Sequence, residues 1–322
     1  MVKKSVKTVD EKTETNVIVK KKKGDREGYE MFFIVLPFMI LSFLFCYFPL
    51  TGWVFAFFDY RAPLKLAQCE FVGIKWFRSL FANKTQIAQL WQVMKNTFAM
   101  STLGIATSVI PMIFAMFLNE IKCKKFKSLV QTLTTIPNFI SWVLVYSVAF
   151  SLFSDSGLVN TLLQQTGFID HSIKFLDSDK HTYLSMLLWG QWKGIGWGAI
   201  MYLAAIAGID PELYDAAKVD GAGRFSLMRH ITLPALLPTY FVLLMLSVAN
   251  FLNNGMDQYF VFQNAFNKTH IQVLDLYVYN IGLTGNSISL ATAISMLKSL
   301  VSIALLFIVN FLSKQTRGES VI

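Results

Sequence analysis

Charged residues are scarce in this 322-residue chain: they make up 15% of it, whereas hydrophobic residues make up 54%. Ordinary soluble domains carry about 25% charged residues, most of them at the surface. The mean hydropathy of +0.48 points in the same direction. The composition therefore excludes an ordinary soluble protein and favours one that is embedded in lipid.

Cysteine and histidine are too few and too scattered to build a site. The chain has three cysteines and four histidines, and their spacing fits neither a disulfide framework nor a zinc site. We therefore expect no bound metal. Catalytic patterns such as H-E-x-x-H are absent, and so is the G-x-x-x-x-G-K-[ST] loop that cradles nucleotide phosphates. The chain is thus not expected to be an enzyme, and any ATP must be bound by another subunit.

Long uncharged stretches are the strongest positive signal. Four stretches of 24 to 28 residues contain no charge, and two more contain a single lysine each. A helix needs about 20 apolar residues to cross a bilayer core. The predicted fold class is an all-α membrane protein with six transmembrane helices. The predicted spans are residues 31–58, 96–119, 128–154, 182–209, 231–256 and 288–313.

Basic residues predict the orientation of these spans, because lysine and arginine concentrate in short cytoplasmic loops. The N-terminal tail and the segments after the second, fourth and sixth spans are basic, whereas the loops after the third and fifth carry mostly aspartate. We expect both termini in the cytoplasm, although the loop after the first span is basic as well. The net charge of +9 is then a topology signal, and no nucleic-acid partner is expected.

Two segments of the predicted outer loops are expected to form short helices. Residues 71–81 place aromatic side chains at helical spacing, as a helix at a membrane interface does. Residues 156–167 have the pattern of a short amphipathic helix. Each is interpreted as a lid or interface element rather than a site.

The loop between the fourth and fifth predicted spans, residues 210–234, carries clear helix signals. Asp210 is a good N-cap, Pro211 suits the first helical position, and Glu212 complements the positive end of the helix dipole. The helix should end near Gly221, because glycine accepts a positive φ.

A second short helix should run from about Gly223 and end before Pro234, since proline disfavours the helical conformation of the residue before it. Small residues in this loop would let a partner approach closely, and larger apolar residues could fill a groove on that partner. On these residues alone, an ordinary helical hairpin and a docking element fit equally well.

The same loop resembles a known family. Tyr214-Asp-Ala-Ala, Asp220-Gly-Ala and Ile231-Thr-Leu-Pro fit the EAA motif of type I ABC importer permeases, with its glycine and its I-x-L-P. Asp215 stands where the motif has glutamate, which preserves the charge. With Phe71-Val-Gly and six spans, the chain resembles the carbohydrate-uptake branch, in particular its polysaccharide-permease-like oligosaccharide permeases.

This resemblance implies a permease that docks its coupling helix onto an ATPase subunit in the bacterial cytoplasmic (plasma) membrane. It implies a second homologous permease subunit forming a heterodimer with this chain, two ATP-binding subunits that bind ATP and Mg, an extracytoplasmic solute-binding protein, and a carbohydrate substrate. This chain itself would bind no cofactor. The expected ATPase-coupling residues are Glu212, Leu213, Tyr214, Asp215, Ala216, Ala217, Asp220, Gly221, Ala222 and Phe225.

The expected domain organisation follows. Residues 1–30 form a flexible basic cytoplasmic tail, and residues 31–313 form a six-span permease domain with the coupling loop 210–234. Residues 314–322 form a cytoplasmic C-terminal tail.

Amide side chains near the end of the fifth span are candidates for a substrate pathway. Asn250, Asn253 and Asn254 lie at i, i+3 and i+4 and should share one helical face, which Gln258 would extend. Tyr259 could add an aromatic face for a sugar ring. The alternative is that these amides only join helices, because polar groups in membranes also serve that purpose.

Two lysines lie deep in predicted spans. Lys193 and Lys298, with Ser295 near the latter, could line the cavity and contact an anionic substrate, pair with an acidic group of the partner, or snorkel to the interface. Gly190, Gly194 and Gly198 recur every four residues, which favours close packing against another helix.

Two other function classes stay open. An ion-coupled transporter or channel could act without an ATPase, although the spans contain no central aspartate or glutamate to bind coupling ions. A membrane enzyme would need a catalytic arrangement that no motif here indicates.

Overall fold

The computed structural model describes residues 24–317, and all regular elements in that range are helical. The described chain divides into two compact units, one up to Gly52 and one from Trp53. The first unit contains helix α1, Gly24–Ser42, followed by a π-helical turn, Phe43–Tyr47. Residues 1–23 of the predicted basic tail and residues 318–322 of the predicted C-terminal tail lie outside the described residues.

A 3₁₀ helix, Phe48–Phe57, runs across the boundary between the units, and the second unit contains the remaining α-helices. In chain order they are α2 (Lys75–Ala82), α3 (Lys84–Ala106), α4 (Ile110–Asn119), α5 (Lys124–Thr135), α6 (Trp142–Phe153), α7 (Leu158–Gln165), α8 (Thr182–Ala207), α9 (Pro211–Val219), α10 (Arg224–Leu227), α11 (Leu233–Ala249), α12 (Asp257–Phe262), α13 (Lys268–Ile271), α14 (Leu274–Tyr279) and α15 (Ile288–Arg317). The short helices predicted near residues 71–81 and 156–167 are confirmed as α2 and α7.

Five helical stretches among the described residues are long and apolar enough to cross a bilayer, judged by length and composition. Helices α8 and α9, which bend by 73° at their junction, count as a sixth if they are taken together. The prediction of an all-α membrane protein is confirmed, with five to six candidate spans. The five stretches are Gly28–Phe57, Lys84–Asn119, Trp142–Gln165, Arg224–Ala249 and Ile288–Gln315.

Helix α8 packs at the centre of the second unit. Its buried Ala199, Tyr202 and Ile206 join residues of α4 and α11 in one hydrophobic cluster. Nearer its start, Met186 joins a second cluster with α3, α6 and the short helices α12 to α14. A third cluster connects α2, α3, α14 and α15. The segment after α11 is therefore a packed part of the core rather than a surface loop.

The predicted third span, residues 128–154, is wrong as a single helix. A 3₁₀ turn, Ile136–Phe139, separates α5 from α6, and the Ser141 hydroxyl accepts a hydrogen bond from the Leu144 N–H at 3.4 Å to cap α6. Pro137 in the turn has no N–H to donate, so one hydrogen bond of the helical ladder is missing there.

Lys193 of α8 supplies the hydrogen bonds that this break requires. Its Nζ donates to the carbonyl oxygens of Pro137 at 3.1 Å and Asn138 at 2.7 Å, and it lies 5.4 Å from the centre of the Trp142 ring. The residue is only 9% exposed. The lysine therefore stabilises the junction between α5 and α6.

The glycine stripe of α8 does not face one partner helix, so that prediction was only partly right. A Cβ on Gly198 would lie 3.1 Å from Pro111 of α4, whereas Gly194 has open space around it and Gly190 faces Gln258. The tightest approach is at Gly196, where a Cβ would lie 2.2 Å from the Thr134 carbonyl oxygen of α5.

Replacing Lys193 with methionine should destabilise the protein. The change leaves two carbonyls without a donor, and each unpaired carbonyl lowers the free energy of unfolding by about 1–3 kcal/mol. The melting temperature should therefore fall by roughly 5 °C. Thermal unfolding of the purified transporter measures this. Lys180→Met, at an exposed lysine between α7 and α8, is the control, and an equal shift in both variants would contradict the assignment.

Candidate functional site

Helix α9 begins and ends as its sequence predicts. The Asp210 carboxylate accepts a hydrogen bond from the Glu212 N–H at 2.9 Å, and Pro211 occupies the first turn. At the other end, Gly221 has a φ of +82°. The N–H of Ala222 donates to the Ala217 carbonyl at 2.9 Å and that of Gly221 to the Lys218 carbonyl at 3.0 Å, which is the Schellman pattern.

The loop from 210 to 225 presents exposed apolar side chains. Leu213 is 54% exposed, Val219 87% and Phe225 76%. Among the other predicted coupling residues, Ala217 and Ala222 are half-buried, and the exposed ones are Glu212, Asp215, Ala216, Asp220 and Gly221. Leu213 and Val219 lie on the capped helix α9, and Phe225 lies on α10. Exposed large apolar groups that are grouped in this way are typical of an interaction surface.

Tyr214 connects this loop to the next long helix. Its hydroxyl lies 2.9 Å from the hydroxyl of Thr232, which is 2% exposed at the foot of α11. A cleft of about 340 Å³ lies behind α9 and includes Pro211 and Tyr214 in its lining. Tyr214 was predicted to fill a groove on a partner, but the structure directs its hydroxyl to its own chain.

The predicted end of the second short helix before Pro234 is wrong. Helix α10 continues through a π-helical turn, Met228–Thr232, directly into α11. A π turn shifts hydrogen bonds from i−4 to i−5, which accommodates the missing N–H of Pro234. The loop is therefore one short helix, α9, beside the start of a continuous membrane helix.

The predicted amide face on the fifth span is also wrong as a helical stripe. Helix α11 ends at Ala249, before all four amides. The Asn250 amide donates to the Leu246 carbonyl at 2.9 Å, and Gly255 turns the chain with a φ of +76°. Asparagine side chains compete with the backbone ladder in this way, so an irregular segment, residues 250–256, replaces the last turn of the predicted span. We call it the amide turn.

The amide turn nevertheless brings the predicted residues together. Asn250, Asn253, Asn254, Gln258 and Tyr259 all line one cleft of about 380 Å³. The opposite walls come from α3 and α8, through residues such as Ser101, Gly190 and Gln191. We call this the amide cleft.

Within the cleft, the amides are held by bonds from distant parts of the chain. Asn254 Nδ2 donates to the Ser101 hydroxyl at 2.9 Å, and that hydroxyl donates to the Phe251 carbonyl. Gln258 Nε2 donates to the Met186 carbonyl at 2.6 Å. The Asn254 Oδ1 atom is enclosed and accepts no hydrogen bond from the described residues. Such an atom costs about 1–3 kcal/mol, which a rearrangement bringing in a donor would recover.

Tyr259 is 5% exposed. Its ring packs in the hydrophobic cluster that contains Met186 and Phe262.

Lys298 lies directly behind the amide cleft, paired with a carboxylate that sequence reasoning missed. Its Nζ forms an ion pair with Asp275 of α14 and donates to Asn253 Oδ1 at 3.0 Å. In the sequence, Asp275 is one of the aspartates in the loop after the fifth predicted span. A lysine inside a span needs a partner, and that requirement was the available signal.

Lys193 and Ser295 do not join the other predicted pathway residues. Lys193 binds the carbonyls at the junction between α5 and α6, as described above. The Ser295 carbonyl accepts from the Ser299 hydroxyl at 3.0 Å within α15, and neither residue lines the amide cleft. Both were placed in the pathway because they are polar residues within apolar spans.

Comparison with known proteins identifies a family. The model of the binding-protein-dependent transport system inner membrane component matches residues 107–318, which is more than half of the chain.

Similar proteins cover nearly the whole length. The polygalacturonan/rhamnogalacturonan transport system permease protein YteP of Bacillus subtilis is 37% identical over 95% of this chain and 96% of its own. Protein LplB of the same organism is 36% identical over 90% of each chain. A chain of a bacterial alginate ABC transporter, solved with an alginate pentasaccharide-bound periplasmic protein, has a TM-score of 0.79 and 29% identity over 92% of this chain and 97% of that one.

Replacing Tyr214 with phenylalanine should loosen α9. Losing the bond to Thr232 removes about 0.5–1.5 kcal/mol, so the amides of α9 should exchange hydrogen roughly three- to tenfold faster. Hydrogen-exchange mass spectrometry measures this. Thr232→Val should have the same effect and the double variant no more than either; additive effects would contradict the contact.

Proposed function

The chain belongs to the family of binding-protein-dependent transport system inner membrane components, and from that premise we propose that it is a permease subunit of an ATP-driven carbohydrate importer. It would form an alternating-access path together with a second, homologous permease. An extracytoplasmic binding protein would deliver the substrate, most simply an oligosaccharide. The observation that carries the carbohydrate class is the 37% identity, over 95% of the chain, with a permease named for polygalacturonan and rhamnogalacturonan transport.

Two separate ATP-binding subunits, which hold ATP and Mg, would drive this path. Helix α9 is the proposed coupling helix because it is short, capped at both ends and exposes the apolar side chains of Leu213 and Val219. The Tyr214–Thr232 contact gives a route by which a movement of α9 displaces the foot of α11. This hydrogen bond joins α9 to the foot of α11, so a displacement of one would be passed to the other.

The amide cleft is the proposed substrate contact of this chain. Side-chain amides can both donate to and accept from sugar hydroxyl groups, and pockets commonly combine a few such groups with apolar walls. The enclosed Asn254 Oδ1 atom supports a cleft that rearranges during transport.

The proposed location is the bacterial cytoplasmic membrane, with both termini and α9 on the cytoplasmic side. The positive-inside distribution of lysine and arginine supports this orientation. The amide cleft would then lie within the bilayer between the two faces of the protein.

Replacing Phe225 with alanine should weaken binding of the ATPase subunits. The side chain is 76% exposed, so its loss should not affect folding, whereas truncating an aromatic anchor costs about 2 kcal/mol or more in an interface. We expect at least tenfold less ATPase subunit to copurify, with a parallel loss of uptake.

Phe168→Ala is the matched control, because Phe168 is 80% exposed and lies between α7 and α8, on the predicted opposite side of the membrane. If both variants retained the ATPase subunits equally well, α9 and its neighbourhood would not be the docking site.

Replacing Asn254 with leucine should reduce uptake about tenfold while the ATPase subunits remain bound. The change removes the bond from Asn254 to Ser101 and the amide that is proposed to contact the substrate, a loss of about 1.4 kcal/mol. Uptake of labelled trigalacturonate and of its neutral methyl ester measures the effect. Gln164→Leu, at an exposed amide of α7, is the control; dissociation of the complex by Asn254→Leu would instead indicate that the amides join helices.

A further inference from the structure

The amide turn is an irregular backbone segment that needs partners from elsewhere. It carries three asparagines into the cleft but has no helical ladder of its own after Ala249. The N–H of Gly255 donates to Asp275 Oδ2 at 3.0 Å. One carboxylate oxygen of α14 therefore holds the backbone of the turn directly.

The other carboxylate oxygen of Asp275 holds the same turn through a lysine. Asp275 Oδ1 pairs with Lys298 Nζ, and that Nζ donates to Asn253 Oδ1 at 3.0 Å. The side chains of Lys298 and Asp275 are 15% and 18% exposed, so little water competes with them. Helix α14 thus holds the turn at Gly255 through Asp275, and helix α15 holds it at Asn253 through Lys298.

The charges in this arrangement cancel. Within residues 24–317, the lining of the amide cleft contains amides, hydroxyls and apolar groups but no charged side chain. Lys298 lies one contact behind that lining, and its positive charge is compensated by Asp275. The ion pair behind the lining therefore adds no net charge to the cleft.

We propose that Asp275 is a positioning and specificity-determining residue of the substrate pathway, a role that rests on the function proposed above. It fixes the amide turn through Gly255 and Lys298, and it cancels the lysine charge, so the cleft selects its cargo by hydroxyl groups and not by carboxylates. Loss of Asp275 leaves Lys298 as an uncompensated cation next to the cleft, which attracts an acidic sugar.

The positioning part is tested without any substrate. In the full purified transporter, Asp275→Ala should increase hydrogen exchange of the amides in residues 250–256 by about tenfold, whereas Asp179→Ala should leave them unchanged. Asp179 is the matched control because it pairs with His270 at 2.6 Å, away from the amide turn. Unchanged exchange in Asp275→Ala would overturn the positioning role.

The specificity part is tested by the ratio of trigalacturonate uptake to uptake of its neutral methyl ester. The two probes share one carbon skeleton, and the same binding protein serves every variant, so changes in the ratio come from the permease. Asp275→Asn should raise the acidic-to-neutral ratio about tenfold, and Asp275→Asn with Lys298→Met should bring it back toward the starting value.

An equal change in the uptake of both probes by Asp275→Asn would overturn the specificity role, because a scaffolding defect does not depend on charge. A ratio that stays high after Lys298→Met is added would overturn it as well. Uptake of neither probe by the unmodified transporter would count against the proposed function for this substrate. The hydrogen-exchange result would still decide whether Asp275 positions the amide turn.

Discussion

Every backbone polar group inside a bilayer must find a partner within the protein, and this requirement organises the whole chain. Continuous helices meet it by themselves, but this protein breaks its helices repeatedly. Three of these places are held by a polar side chain from another helix. Lys193 donates to the carbonyls of Pro137 and Asn138, and Asp275 accepts from the N–H of Gly255. Asn96 donates to the carbonyls of Thr269 at 2.9 Å and Gln272 at 3.0 Å. These polar residues therefore serve to form hydrogen bonds with backbone groups at the places where helices are interrupted.

The breaks also place the two candidate sites at opposite ends of one rigid element. Helix α11 is continuous from the π turn at its foot to Ala249. Thr232, which contacts Tyr214 of α9, and Asn250, which opens the amide turn, lie 18 residues apart and so about 27 Å apart along the axis. Under the proposed function, a tilt of α11 driven at its foot would reach the cleft along a single helix, which contains Pro238 but does not end between the two residues.

Local signals in the sequence were sufficient for local structure. The uncharged stretches predicted the membrane helices, and Asp210, Pro211 and Gly221 fixed both ends of α9. Features that depend on distant contacts could not be predicted. The turn that follows Ala249 is held by Ser101, whose hydroxyl donates to the Phe251 carbonyl from 150 residues away along the chain, and the sequence between 231 and 256 has no charge to mark the break. The sequence predicted that the amides lie together, and they line one cleft. They do so from a turn that faces α3 and α8, whereas a stripe on one helix was expected.

The two intramembrane lysines demonstrate why a charge in a span does not by itself describe the cargo. In sequence they are equivalent: each is a lone cation in an apolar helix. In the structure, Lys193 donates hydrogen bonds to two carbonyl oxygens, whereas Lys298 forms an ion pair with Asp275. A lysine is available to a ligand only if no group of its own chain already pairs with it. Neither lysine lines the amide cleft, so the cleft offers no charge to a ligand. Recognition of hydroxyl groups and recognition of charge are thereby separated, so any selection for an acidic cargo has to arise outside the amide cleft.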